Sequence, residues 1–183
     1  MHYTGVGARN TPKKILKLMK KIGYYMVSKN VILRSGGAEG ADTAFQKGCE
    51  KWCKENNVKF KDRQCIIIPW NNFNNHTVNV DKGITTDNHW LSYDITIDTH
   101  PNDKNLKDAH MKLMQRNVTQ VYGYEPHDQS GLLICWTPDG AVEKTTQISG
   151  GTGQAIRLAI NGDVEVFNLK NKKHINRIKE LIT

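Results

Sequence analysis

Three glycine-rich stretches of the sequence each follow a predicted buried strand and precede a predicted helix: residues 5–9, 35–40 and 149–153. A helix start presents unpaired N–H groups and the positive end of the helix dipole, and glycine lets the backbone approach a phosphate closely. One such turn is weak evidence, because glycine also serves simply to reverse a chain. Three at the same kind of junction are harder to explain by turn geometry alone. Together they predict a binding site for the phosphate of a nucleotide-type ligand.

Two arginines and two serines are the side chains best suited to that anion. Arg9 and Arg116 would hold the phosphate, since a guanidinium group matches phosphate oxygens at two points, and the alternative for each is a surface ion pair. Ser35 and Ser149 are predicted to donate hydroxyl hydrogen bonds to it. No histidine–aspartate relay in the sequence marks either serine as a nucleophile.

Two carboxylates are the candidates for catalysis. Asp42, in the first turn of its predicted helix, could bind a ribose hydroxyl or act as a base, or it could simply stabilise the helix start. Glu39 is open to the same alternatives. Histidine and aspartate are crowded between residues 71 and 100, but no spacing there matches a metal site, so we predict neither a metal nor a cofactor.

Several familiar motifs are absent from the sequence. There is no G-x-x-x-x-G-K-[ST], which argues against a P-loop nucleotide hydrolase, and G-x-S-x-G and H-E-x-x-H are also missing. The dinucleotide fingerprint G-x-G-x-x-G begins at Gly5 but meets Asn10 where its third glycine belongs. This departure argues against a conventional NAD-dependent dehydrogenase.

The elements that would position these residues alternate between strands and helices, which favours a mainly parallel sheet covered on both faces. We predict an α/β fold, a Rossmann-like three-layer α/β/α arrangement with one domain over residues 1–183 and an irregular insertion or lid at 71–100. Trp70 and Trp90 could stack on a base, or Trp70 could only cover the core. The predicted strands are 2–6, 31–33, 65–68, 131–136 and 164–167, with 141–147 as a short hairpin or edge strand. The first predicted helix has Thr11 as its N-cap and ends at residues 28–30, and the second follows residues 35–42 and ends near 57. The remaining predicted helices cover 103–121, 155–160 and 171–182.

Charge is unevenly distributed along the 183 residues, whose formal net charge is +8. Residues 1–63 hold 14 Lys or Arg and 5 Asp or Glu, a net of +9, whereas residues 64–150 hold 6 and 10, a net of −4. A basic first third attracts nucleotides or nucleic acid. The alternative is that the lysines between 13 and 21 are only the solvated face of a helix.

Composition also indicates a compartment. The four cysteines fit buried thiols, no apolar run reaches the ~20 residues that span a bilayer, and the first residues do not form a secretory signal. We therefore predict a cytoplasmic protein with no membrane partner. Its richness in lysine and asparagine is typical of an AT-rich genome, such as that of a phage or mobile element.

Four strings of the sequence carry a resemblance to a known family. GVGARNTP, LRSGGAEGADTAF, Gln115-Arg116-Asn117, and SGGTGQA followed by VEVFNL resemble the Rossmann domain of the DprA (Smf) family, and more broadly the SLOG superfamily, which includes the LOG-type nucleotide phosphoribohydrolases. The resemblance covers about residues 3–45 and 112–168. It implies that the first loop, the SGGA-type loop and the Arg-Asn pair line one anion pocket. It also implies a homo-oligomer.

Loops and resemblance together define the predicted ligand-binding residues: Gly7, Ala8, Arg9, Ser35, Gly36, Gly37, Gly40, Arg116, Asn117, Ser149, Gly150, Gly151, Thr152 and Gly153.

The third loop departs from the LOG-type enzymes. Their P-G-G-x-G-T-x-x-E motif supplies a glutamate that takes part in cleaving the N-glycosidic bond. Here Ser149 replaces the proline, Gln154 the threonine, and Arg157 the glutamate. Because a cation can neither act as general base nor stabilise an oxocarbenium ion, LOG-type chemistry would need another acid, such as Glu39 or Asp42.

Three functions follow as expectations. The first is binding, without turnover, of a nucleotide or nucleotide-derived small molecule, such as a mononucleotide, an ADP-ribose-like compound or a cyclic nucleotide signal. The second is single-stranded DNA binding like that of the DprA family. The third is N-glycosidase activity on nucleoside 5′-monophosphates.

Overall fold

The computed structural model of the chain describes residues 1–87, 89–125 and 127–182. Its strands are β1 (His2–Gly5), β2 (Ile32–Ser35), β3 (Gln64–Ile68), β4 (Ile84–Thr86), β5 (Leu132–Cys135) and β6 (Glu165–Asn168). Its α-helices are α1 (Lys13–Ser28), α2 (Ala41–Glu55), α3 (Ser92–Thr99), α4 (Asp108–Tyr122), α5 (Thr152–Asn161) and α6 (Lys172–Leu181). No helix in the described ranges is long and apolar enough to cross a membrane.

The described strands form one parallel sheet in the order β4-β3-β2-β1-β5-β6. The chain builds outward from β1 to β4 and then returns to place β5 on the other side of β1. The strand order therefore reverses between β1 and β5. In open sheets of this kind, ligands bind beyond the carboxyl ends of the strands at such a reversal.

Two apolar clusters cover the two faces of the sheet. One contains Leu33 and Ile66 from the strands with Met19 of α1, Phe45 of α2 and Ile178 of α6. The other joins β5 to α4 and α5, with α3 packed against it. Helices on both faces of a parallel sheet make three layers, and the predicted Rossmann-like α/β fold is confirmed.

The segment 71–100, predicted as irregular, contains two regular elements. Ile84–Thr86 forms β4, which pairs with β3 and extends the sheet by one edge strand. Ser92–Thr99 forms α3, which packs against α4 and α5. A strand of three residues and a helix of eight are too short to show a clear hydrophobic period, so the sequence pattern did not reveal them.

Two local predictions were wrong. Residues 141–147 form no strand, because β6 occupies the open edge of β5 and leaves no place for a returning hairpin. Thr11 is not the N-cap of α1: Pro12 takes that position, and the Thr11 hydroxyl donates to the Ala8 carbonyl oxygen at 2.6 Å. That bond closes the turn between β1 and α1.

A buried cation lies at the centre of the sheet. Arg34 of β2 is only 2% exposed. Its guanidinium donates to the Asp128 carboxylate and, at 2.5 Å, to the Asp128 main-chain oxygen. This pair ties the loop before β5 to the middle of the sheet.

Candidate functional site

The first glycine-rich loop, residues 5–9, leaves β1 at the strand-order reversal. It continues alongside β5, because the Val6 and Ala8 N–H groups donate to the carbonyl oxygens of Ile134 and Trp136, each at 3.1 Å. This pairing carries Arg9 beyond the sheet edge, where its side chain is exposed. Across the described residues, no carboxylate lies within ion-pair distance of Arg9. Its guanidinium donors are therefore available to a ligand.

The second loop, residues 35–40, is turned inward. Ser35 is buried, and its hydroxyl donates to the Gly5 carbonyl oxygen at 2.6 Å. The N–H groups of Gly36 and Ala38 donate to the Asp42 carboxylate at 3.2 and 3.3 Å. The donors predicted to face an anion are thus occupied by a side chain of the protein.

Close approach to the first loop explains one glycine of the second. Gly40 has φ +85°, and a Cβ built there would lie 2.6 Å from the Arg9 carbonyl oxygen. A larger residue would meet both a steric clash and an unfavourable backbone conformation. The second loop therefore supports the first from behind.

Arg116 of α4 is buried in the same region. Its Nη1 atom donates to the Gly36 carbonyl oxygen at 2.6 Å and lies 4.0 Å from Asp42 Oδ2. Burial lowers the pKa of Arg116, Asp42 opposes that shift, and nearby Arg9 adds to it. Burial likewise raises the pKa of Asp42, opposed by Arg116 and by main-chain N–H groups that include Gly7. Arg116 thus faces Asp42 inside the protein, while its buried Nε atom has no hydrogen-bond partner among the described residues.

The third loop, residues 149–153, leads into α5 and is held by a carboxylate. The Ser149 hydroxyl donates to Asp139 Oδ2 at 2.6 Å, and the Thr146 hydroxyl donates to the same oxygen at 2.7 Å. Burial disfavours the charge, but the hydrogen bonds donated by Ser149, Thr137 and Thr146 outweigh it and lower the pKa of Asp139 to about 2. Asn117 of α4 donates to the Gly151 carbonyl oxygen at 3.2 Å. The loop is fixed from both sides.

The first and third loops meet in a cavity of about 470 Å³, which we name the central cleft. Its lining includes nine predicted residues: Gly7, Ala8, Arg9, Asp42, Arg116, Asn117, Ser149, Gly151 and Thr152. The other predicted residues do not line it: Ser35, Gly36, Gly37, Glu39, Gly40, Gly150 and Gly153. Glu39 is exposed, whereas Asp42 is buried behind the loops. The structure thus brings together the first loop, the third loop and the Arg-Asn pair.

The cleft has lining residues that the sequence reasoning missed. Asn10 and Phe73 are two of them, His110, Leu113 and Met114 come from α4, and Val6, Ala38 and Ala155 complete the set. The α4 residues share one helix face with Asn117, at spacings of three and four, so helical periodicity could have found them once Asn117 was a candidate. Phe73 lies in the irregular part of the chain and carried no such signal.

Arg157, which stands where LOG-type enzymes have a glutamate, does not line the cleft. It donates to the Thr99 carbonyl oxygen at 2.9 Å, to the Thr145 hydroxyl at 2.7 Å and to Gln154 Oε1 at 2.7 Å. Arg157 therefore links the end of α3 to α5 and to Thr145, which precedes the third loop.

A second cavity, of about 430 Å³, lies on the other side of α4 and is named the flank pocket. It is lined by Pro69, Asp87, His89, Ser92, Lys112 and Gln115. Within the part of the chain that the structure describes, no group of three or more His, Cys, Asp or Glu side chains is placed to hold a metal ion.

The central cleft combines a charged rim with an apolar wall. Arg9 and His110 are exposed at its edge, and Val6, Leu113 and Met114 line its side. Such a surface can take an anion together with the less polar part of the same molecule. The Ser149 hydroxyl donates to Asp139 and accepts from the Thr146 N–H, so it is not free to donate to an anion in the cleft.

Comparisons with known proteins bear on the fold. No family model matches the chain, and no curated protein matches it. A solved structure of DNA processing protein A (DprA) from Helicobacter pylori, studied for its single-stranded DNA binding mode, is similar in fold, with a TM-score of 0.58 and 14% sequence identity. The match covers 98% of this chain and 72% of that one. The chain therefore has a DprA-like Rossmann fold.

Proposed function

We propose that this protein binds single-stranded DNA and that a backbone phosphate of the strand is held by Arg9 at the rim of the central cleft. One observation carries the proposal. At the strand-order reversal of the sheet, an exposed arginine with no carboxylate partner among the described residues projects from the first glycine-rich loop beside an open cleft. An exposed guanidinium beside a concave surface is suited to a phosphodiester.

The similarity in fold supports the choice of ligand. The DprA protein of Helicobacter pylori has a single-stranded DNA binding mode, and its fold extends over nearly the whole of this chain. The basic first third of the sequence, with a net charge of +9 over residues 1–63, agrees with a polyanionic partner.

The cleft residues would have different roles in binding the strand. Arg9 supplies the charge for the phosphate, while Leu113 and Met114 offer an apolar surface to the sugar and base. Arg116 and Asp42 hold the second loop in place, because their charges face each other and the Gly36 backbone. We therefore expect Arg9 to contribute to affinity and Arg116 to the shape of the site.

The test is binding of a fluorescently labelled oligo(dT) of about 16 nucleotides, the upper end of typical site sizes, measured by anisotropy. Arg9→Ala should weaken binding about tenfold, the effect of losing one charge-assisted hydrogen bond. It should also reduce the slope of log K against log salt by about 0.7, as expected for one phosphate contact on a single strand.

Arg177→Ala is the matched control, because it removes the same charge from an exposed arginine that pairs with Glu165 on the β6 edge. It should leave both affinity and slope nearly unchanged. Equal effects of the two substitutions would show that DNA senses only net charge. No binding by the unaltered protein at low salt would overturn the proposed function.

A second candidate is a mononucleotide ligand, favoured by the size of the central cleft. A volume of about 470 Å³ lies within the range of small-molecule sites. Native mass spectrometry of the protein with a pool of nucleoside monophosphates should then show a bound, intact nucleotide, and Arg9→Ala should abolish it. Release of a free base would instead support the N-glycosidase hypothesis.

A further inference from the structure

We propose that the exposed ring of Trp90, followed three residues later by the exposed Tyr93, is a stacking platform for a base of the DNA strand whose phosphate lies at Arg9. The inference rests on the proposed function and adds a second point of contact to it. The platform lies outside the central cleft, at the start of α3.

The first observation is exposure. Trp90 is 80% exposed and Tyr93 is 53% exposed, although both carry large rings. Neither ring makes an aromatic or cation–π contact with a described residue. Because every base has a π-face, exposed aromatic rings of this kind suit stacking that does not depend on sequence.

The second observation is that the platform is anchored. The Ser92 hydroxyl donates to Asp87 Oδ2 at 2.8 Å, and the His89 N–H donates to Asp87 Oδ1 at 3.3 Å. The Thr119 hydroxyl of α4 donates to the same carboxylate, so the turn that carries Trp90 is tied to α4. Because the backbone that carries Trp90 is held in place, only the side chain has to be ordered when a base stacks on it, which lowers the entropic cost of binding.

The third observation is a route between the two sites. His110 lines the central cleft and Lys112, two residues further along α4, lines the flank pocket next to the platform. A strand that crosses the first turns of α4 would pass from Arg9 to Trp90 and meet Lys112 on the way. The width of a helix with its side chains, about 10 Å, corresponds to about three stacked nucleotides.

The charges on α3 and α4 determine which side of the DNA strand, phosphates or bases, faces α3. Asp94 and Asp98 are exposed on this helix and would repel phosphates. Lys112, on α4, would attract them. The strand would therefore turn its phosphates toward α4 and its bases toward Trp90, which fits a base as the occupant.

The test compares Trp90→Ala and Trp90→Phe with the unaltered protein. Trp90→Ala should weaken binding of the oligo(dT) about tenfold, in line with the loss of one stacked base, while Trp90→Phe should retain most of the affinity. DNA should also quench tryptophan fluorescence in the unaltered protein more than in Trp90→Phe. Val80→Ala is the control, since Val80 is 74% exposed and lies at the opposite end of β4.

A thymidine dinucleotide separates this inference from the proposed function, because it is shorter than the roughly three stacked nucleotides that correspond to the width of α4. Its binding should be weakened by Arg9→Ala and unaffected by Trp90→Ala. If the oligo(dT) binds, depends on Arg9 and is indifferent to Trp90→Ala, the platform is wrong and the proposed function stands. If the rings instead bury themselves against a second copy of the chain, Trp90→Ala would change the oligomeric state and not the affinity, and this too would overturn the platform.

Discussion

Three arginines of this chain show how burial decides what a guanidinium group does. Arg9 is exposed beside the central cleft and has no carboxylate partner in the described ranges. Arg116 is buried against Asp42 and the Gly36 carbonyl oxygen, and Arg34 is buried against Asp128. Both buried groups donate to main-chain oxygens inside the fold, and among the described residues the buried Nε of Arg116 has no partner. The sequence motifs indicate which arginines lie near the glycine-rich loops. The burial of each side chain determines how many of its N–H donors can reach a ligand.

The Arg34–Asp128 pair makes a prediction about stability. Asp128→Ala leaves the Arg34 cation buried without its counter-charge, and we expect it to lower the free energy of unfolding by about 3 kcal/mol. Chemical denaturation followed by circular dichroism measures this change. Glu165→Ala, which breaks the exposed Glu165–Arg177 pair, should cost no more than about 1 kcal/mol. Equal losses in the two variants would contradict this account of Arg34.

Among the elements, the third glycine-rich loop depends most on a side chain outside itself. Asp139 follows β5 by four residues and accepts hydroxyl hydrogen bonds from Thr146 and Ser149. Because these bonds favour the charged form, the pKa of Asp139 falls from 3.8 to about 2. A lowered carboxyl pKa means that this contribution to folding is complete above about pH 4 and is lost as the pH falls toward 2.

Asp139→Ala should therefore loosen the third loop. We expect weaker oligo(dT) binding at neutral pH with only a small change in the thermal midpoint, because Asp139 is exposed and its hydrogen bonds act locally. Amide hydrogen exchange should rise in residues 146–151. The acid-induced loss of stability between about pH 4 and 2 should also be smaller in the variant, since the titrating group is gone. Unchanged exchange in this loop would show that Asp139 does not hold it.

For the molecule as a whole, the basic charge of the first third is not concentrated at the cleft. Lys17, Lys20 and Lys21 are exposed along α1. This helix begins after the first loop and runs back toward the amino ends of the strands, away from the cleft. With a rise of about 1.5 Å per residue, Lys20 lies about 10 Å along the helix from its start. At physiological salt, charges are screened beyond about 8 Å.

The triple variant Lys17→Gln, Lys20→Gln, Lys21→Gln tests this arrangement. Although it removes three charges, we expect it to weaken oligo(dT) binding less than twofold at about 0.15 M salt, where screening is effective. Arg9→Ala, which removes one charge, should weaken binding more. The opposite order of effects would place the binding surface on α1 and contradict the assignment of the central cleft.

Much of the architecture was predictable, because apolar runs and glycine-rich turns are local signals. The strands that became β1, β2, β3, β5 and β6, and the two glycine-rich loops that meet in the cleft, all follow from short stretches of sequence. β4, α3 and Phe73 were not found, because a three-residue strand, a single two-turn helix and an isolated ring have no period to detect.

By itself the sequence determined that three strand-to-helix turns rich in glycine lie at one edge of a parallel sheet. Only the tertiary structure decided which of them faces outward. The Asp42 carboxylate occupies the N–H groups of the second loop, and Arg116 is turned toward it from α4, 74 positions along the chain. Contacts between residues so distant in sequence depend on how α4 crosses the sheet, and no local pattern records that. The same packing left Arg9 exposed and so available for a ligand.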